Sequence, residues 1–391
     1  MQYNFDEVID RSRTNAFKID AMKARIGKEG LLPLWVADMD FKAAPEIIEA
    51  LQNRVQHGVF GYTLPTESYY QSIIDWVKKL YDWDVSKEEI SYLPGIVKGI
   101  AFAIDCFTNE GDKIIIQPPV YHPFRIVPQA HKREVVENPL IFDGEKYRMN
   151  LDGLRKIAET KECKMLILCN PHNPIGLAWD KAILEELAEI CHDNNILVIS
   201  DEIHAEIIHQ NKKHIPFATV SAKAEKNNIT LMAPSKTFNL AGIVTSYAIV
   251  KDRTLRLQYY NYLKCRDLDQ GTLFAYLATE TAYTKAENWR IAMIEYIWEN
   301  ICYVDNYLKQ NIPSIKAVIP EASFLIWLDC TSLHLSTEEL KNLFVEKAGL
   351  ALNDGETFGS QGKDFMRLNV GCSRNLLEQA MQQLKDAVNS L

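Results

Sequence analysis

Residues 164–204 read KMLILCNPHNPIGLAWDKAILEELAEICHDNNILVISDEIH. An apolar run from Lys164 to Cys169 and a second from Ile196 to Ser200 flank an amphipathic stretch from Asp180 to Asn194. Two such runs around one helix spell a parallel crossover unit, whose strands are apolar throughout because helices cover both faces of the sheet. Each run stops abruptly in polar residues: Asn170-Pro171-His172-Asn173-Pro174 after the first, Asp201-Glu202 after the second.

The alternation extends in both directions from this unit. Ile90 to Leu93 and Lys113 to Gln117 read as strands around a helix from Ile96 to Phe107, and Ile229 to Ala233 and Thr245 to Val250 continue the series. The fold class is therefore α/β with an open sheet. Ligands of such sheets sit beyond the carboxyl ends of the strands. That rule singles out Pro94-Gly95, the Asn170 loop, Asp201-Glu202 and Ser235-Lys236. Further on, a long helical pattern from about Glu287 to Gln310 leads to strand-like Phe324 to Asp329. Ser336 with Glu339 three residues later has the form of a capping box, Phe365 to Gly371 reads as a strand, and Ser373 as the cap of a terminal helix. With 391 residues the chain exceeds one ordinary core. We expect a large domain over residues 46–285, a smaller α+β domain over 286–391, and an N-terminal segment, 1–45, joining the smaller one.

Composition narrows the partners. A formal net charge of −9 with no dense Lys/Arg cluster argues against nucleic acid and anionic lipid. The longest apolar stretches are strand length, too short to cross a membrane. The eight cysteines are scattered, with no Cys-x-x-Cys pair, and read as reduced packing thiols. The first residues are acidic and lack an apolar signal core, so a cytoplasmic enzyme is expected.

Four strand ends carry residues with chemistry. Lys236, in Ala233-Pro234-Ser235-Lys236-Thr237-Phe238-Asn239-Leu240-Ala241-Gly242, follows a buried strand, where desolvation favours the neutral amine that imine formation requires. Taken alone, a surface lysine at a strand end fits as well. Asp201 ends an all-apolar strand and needs a cationic partner such as a protonated pyridine nitrogen. A helix N-cap, or a metal cluster with Glu202 and His204, are its alternatives. Asn173 sits in a proline-stiffened loop and can aim an amide N–H at a phenolate oxygen, although the loop also reads as a plain turn. Gly95 precedes a helix whose free N–H groups at Ile96 and Val97 suit a phosphate, with the Ser235 hydroxyl opposite; the glycine could equally serve only the turn. Tyr121 could stack on a pyridine face, or pack in a core like others of the 17 tyrosines. The chain order and shared strand-end placement of these signals favour one site.

On these residues the chain resembles the fold-type I, aspartate-aminotransferase-like superfamily of pyridoxal 5′-phosphate (PLP) enzymes over nearly its whole length. The resemblance implies a PLP-dependent transferase-like fold, with a mixed, mostly parallel seven-stranded sheet between helices in the large domain. It implies that Lys236 carries PLP as a Schiff base, that Asp201 pairs with the pyridine nitrogen, Asn173 with the ring hydroxyl, and that Tyr121 stacks. Ile96, Val97 and Ser235 would hold the phosphate, and His204 would lie among the cofactor contacts. Arg367, in Phe365-Met366-Arg367-Leu368-Asn369-Val370-Gly371, would grip the substrate α-carboxylate, with Asn173 and Ala37 beside it. No metal is implied.

Within the superfamily the chain looks most like the cystathionine β-lyase, or C–S lyase, branch. Trp35-Val36-Ala37-Asp38-Met39-Asp40-Phe41, Phe60-Gly61-Tyr62, Ser200-Asp201-Glu202-Ile203-His204 and the Ser235–Gly242 segment carry that likeness. It implies α,β-elimination of a thiol from cystathionine- or cysteine-type substrates, giving pyruvate and ammonia. It also implies a homodimer in which Tyr62 reaches the neighbouring active site. A class I/II aminotransferase is the alternative, since it would share every cofactor contact. Two departures from the aminotransferase pattern lean towards the lyase: Val244 stands where a phosphate-binding arginine is common, and His204 where a tyrosine is. Glu321-Ala322-Ser323-Phe324 replaces a glycine-containing segment expected before the small-domain strand.

Overall fold

The computed structural model of the chain describes residues 3–210 and 212–391. The first two residues of the expected N-terminal segment lie outside that range. Seven strands form the main sheet: β1 (Ile90–Leu93), β2 (Lys113–Ile116), β3 (Glu134–Glu137), β4 (Cys163–Cys169), β5 (Leu197–Asp201), β6 (Asn228–Met232) and β7 (Ser246–Ile249). They lie in the order β1-β7-β6-β5-β4-β2-β3, with β7 antiparallel to both neighbours and every other pairing parallel. The sheet is mixed and mostly parallel, as the resemblance implies.

The apolar runs are strands because alternate residues serve two cores. Leu166 and Leu168 of β4 and Val198 of β5 enter one cluster, whereas Met165, Ile167 and Ile199 enter the opposite one. Helix α1 (Ile96–Phe107) packs on one face and α2 (Lys181–Asp193) on the other. A 25-residue helix, α3 (Glu287–Asn311), follows, burying Trp289, Met293, Ile297, Ile301, Val304 and Leu308 along one stripe. Four further strands make a second sheet: β8 (Lys316–Val318), β9 (Leu325–Asp329), β10 (Asn353–Asp354) and β11 (Phe365–Asn369), in the order β8-β9-β11-β10. Helix α4 (Arg374–Asn389) closes the chain. The N-terminal segment is hydrogen-bonded into this part, with Leu32–Pro33 pairing in parallel with Leu350–Ala351.

Local details sharpen several expectations. Both halves of the Ser336–Glu339 capping box form. Ser373 occupies the N-cap position of α4, yet its side chain makes no capping bond. Ser323 adopts φ = +76°, the left-handed backbone for which glycine is usual, at the point where a glycine was expected. All eight cysteines are free, but Cys265 is exposed rather than packed. Among the described residues no helix is long and apolar enough to cross a membrane, and no cluster of His, Cys, Asp and Glu could hold a metal.

Candidate active site

The strand ends converge on one cavity of about 260 Å³, lined by Ala37, Ile96, Val97, Tyr121, Asn173, Asp201, His204, Ser235 and Lys236 among others. A larger cavity of about 500 Å³ lies behind the Asn170–Gly176 loop near Leu308 and Ile319, and none of the sequence-predicted residues lines it.

Lys236 stands in the turn after β6 and lines the cavity, and its Nζ donates to the Ala37 carbonyl at 2.6 Å. Burial, reinforced by the positive Arg367, lowers its pKa to about 8, against the pull of Asp38 and Asp201. Asp201 ends β5, and its Oδ1 accepts the Ile203 backbone N–H at 3.1 Å. Burial pushes its pKa up to about 7. The N-cap alternative fails because no helix follows β5. The metal alternative fails because Glu202 points away from Asp201. It accepts from Ser200 Oγ at 2.8 Å and the Phe217 N–H at 2.9 Å, and pairs with His214 at 2.7 Å. His204 does line the cavity; burial, with Lys236 and Arg367 nearby, lowers its pKa to about 3 and leaves it neutral.

Arg367, on β11, is buried one hydrogen bond beyond the cavity wall. Its guanidinium donates to Asn173 Oδ1 at 3.0 Å, the Trp35 carbonyl at 2.9 Å and Asn353 Oδ1 at 2.6 Å, and lies 4.8 Å from the Phe358 ring centroid. All three acceptors are neutral oxygens, so among the described residues this buried cation has no anionic partner. The bond to Asn173 also uses that residue's Oδ1 and leaves its NH₂ group to face elsewhere. At the opposite end Gly95 takes φ = +119° and donates its N–H to Ser246 Oγ at 2.9 Å. Open space surrounds the position a Cβ would take at Gly95, beside the unbonded N–H groups that begin α1.

One sequence-predicted residue stays apart. Tyr62 lines no part of this cavity and is 109% exposed on its own chain. Conversely, Ser246, Thr245, Cys169 and Ile203 line the cavity without having been singled out. Ser246 begins β7, the antiparallel strand, so it reaches the ligand edge at the start of its strand. Its place before an apolar run, not after one, hides it in the sequence.

The sequence profile of aminotransferase class I and II matches residues 29–384. This chain belongs to the aminotransferase class I and II family. Within that family it is similar to the cystathionine beta-lyase PatB of Bacillus subtilis (strain 168), with 37% identity over 386 residues covering 99% of this chain and 100% of that one. Among solved structures it is similar to cystalysin from Treponema denticola, described as containing a pyridoxal 5′-phosphate cofactor, with a TM-score of 0.96 and 31% identity over the whole of both chains. It is also similar to the PLP-bound C–S lyase from Staphylococcus hominis, with a TM-score of 0.91 and 32% identity over 99% of this chain and 98% of that one.

Proposed function

We propose that this family member is a PLP-dependent C–S β-lyase that cleaves cystathionine- or cysteine-type substrates to a thiol, pyruvate and ammonia. The observation that carries the PLP and amino-acid part of the reading is the pairing of two opposite needs around one cavity, and the likeness to the cystathionine beta-lyase PatB and to a C–S lyase supports the lyase part. Among the described residues, Asp201 is a buried carboxylate with no cation bonded to it, and Arg367 is a buried guanidinium with no anion. A pyridinium nitrogen suits the first and an amino-acid carboxylate the second.

The residues present fit the cofactor. Lys236 Nζ would bond its aldehyde carbon, the free NH₂ of Asn173 would meet the ring hydroxyl, and Tyr121 would cover a ring face. The N–H groups of Ile96 and Val97 with the Ser235 hydroxyl would hold the phosphate, in the cradle that Gly95 leaves open. His204, being neutral, would contact the cofactor without adding charge. When bound, PLP supplies an electron sink for the pair released at Cα. Arg367 fixes the substrate carboxylate and thereby the direction of the Cα–H bond, with Ala37 beside it. Lys236, with its pKa lowered to about 8 by burial, is suited to take the Cα proton and to return a proton to the departing thiolate.

The segment from Val59 to Leu64 supports a homodimer, because Phe60, Tyr62 and Leu64 are apolar and exposed side by side. In that assembly Tyr62 would serve the partner's site. The domain division at residues 45 and 285 belongs to the same reading, and the free cysteines suit the reducing cytoplasm. The test is incubation of the purified protein with cystathionine or cysteine and an assay for pyruvate. Pyruvate formed without added keto acid is the expected result, and strict dependence on a keto acid would assign transamination instead.

A further inference from the structure

Residues 35–41 form a strap whose carbonyls from Trp35 to Met39 are engaged one after another. The Trp35 carbonyl accepts from Arg367 at 2.9 Å, Val36 from Asn369 Nδ2 at 2.6 Å, and Ala37 from Lys236 Nζ at 2.6 Å. The Asp38 carbonyl accepts from Asn369 Nδ2 at 2.7 Å and Met39 from Asn239 Nδ2 at 2.9 Å. Both cations assigned working roles above are therefore held by the same backbone, two residues apart. A cluster of charges anchors the strap from outside. Arg11 spans Asp38 at 2.7 and 3.2 Å and reaches Asp40 at 2.6 Å, while the fully buried Lys18 meets Asp40 at 2.8 Å.

A free lysine amine has many rotamers, and ordering it in one costs conformational entropy unless a fixed acceptor meets it. An N–H donated to one carbonyl also fixes where the nitrogen lone pair points, which is what proton transfer needs. Resting on the function proposed above, we propose that the Ala37 carbonyl is the berth of the Lys236 amine whenever that amine is not bonded to cofactor. The Arg11–Asp38–Asp40–Lys18 cluster keeps this berth in place. Arg11 and Asp38 are thus positioning residues for the Cα proton transfer, although neither lines the cavity of Lys236.

A backbone carbonyl cannot be deleted by substitution, so the berth and its anchor are tested separately. Aminooxyacetate added to the holoenzyme forms a C=N bond from its own nitrogen to the cofactor's aldehyde carbon and releases Lys236 as a free amine. A crystal structure of that complex should place Nζ within about 3.2 Å of the Ala37 oxygen; an amine turned to any other acceptor overturns the proposal. In holoenzyme carrying Arg11→Gln or Asp38→Asn, solvent-deuterium exchange at the Cα–H of L-alanine, followed by NMR, should show its maximal rate down about tenfold or more. KM should stay within about threefold, because Arg367 keeps Asn173 and Asn353, and Arg11→Lys should recover most of the rate. Thermal melting identifies any variant that fails to fold, and either folded variant suffices. Exchange at the parental rate in a folded variant with a normal lysine-bound absorbance band defeats the strap alone. Absence of that band in the parent protein defeats the function reading and the strap with it.

Discussion

Asp201 and Arg367 are opposite charges, each without an oppositely charged hydrogen-bond partner among the described residues. Each is buried among neutral hydrogen-bond partners, an arrangement that costs stability unless a ligand completes it. Because burial raises the folded-state pKa of Asp201 to about 7 from the ordinary carboxylate value of 3.8, the cofactor-free folded protein binds more protons than the unfolded chain between those values. Stability therefore falls as pH rises through that window. Asp201→Asn should remove this contribution: thermal melts of stripped protein from about pH 4 to 8 should show the variant gaining on the parent as pH rises. Arg367→Lys keeps the charge but loses the bidentate fork. It should raise KM for the amino acid about ten- to a hundredfold while leaving the cofactor's absorbance band in place. At this scale the sequence was informative wherever a polar residue ended an apolar run, as Lys236, Asp201 and Asn173 do. It was silent on Asn353, which sits on a two-residue strand without a pattern and still holds Arg367.

Elements were legible in proportion to their apolar content. Helix α1 was read to its end residues, and the central strands to within a residue or two. β3 carries no strand signal of its own because it is an edge strand, Glu-Val-Val-Glu, whose charged ends break any apolar run. The loop after β4 has its own constraint at Gly176, which takes φ = +68°, and a Cβ there would lie 2.3 Å from Pro320 Cβ. Gly176 also accepts from the Glu321 and Ala322 N–H groups at 2.8 and 3.0 Å, tying the Asn173 loop to the approach to β9. Gly176→Ala should cost about 2 kcal/mol or more, read by denaturant unfolding. It should also loosen cofactor binding, because the loop that carries Asn173 must shift.

At the scale of the whole molecule, the α/β class and the small second sheet were readable from periodicity, whereas assembly was not. No periodicity in one chain says which exposed tyrosine serves a second copy; the likeness to a known branch supplied that expectation for Tyr62. If Tyr62 completes the partner's site, mixing and reassociating inactive Tyr62→Ala and Lys236→Ala chains should restore activity. Half of randomly paired dimers would be mixed and would carry one intact site each, giving about a quarter of parental activity. No recovery on mixing would place Tyr62 outside the site.

Whether the Lys236 amine is the one that bonds the cofactor is tested directly by borohydride. Reduction of the purified holoenzyme should fix the cofactor covalently to a lysine, and peptide mass mapping should find it on Lys236, with no adduct formed in Lys236→Ala. An adduct on any other lysine, or one that persists in that variant, would contradict the assignment.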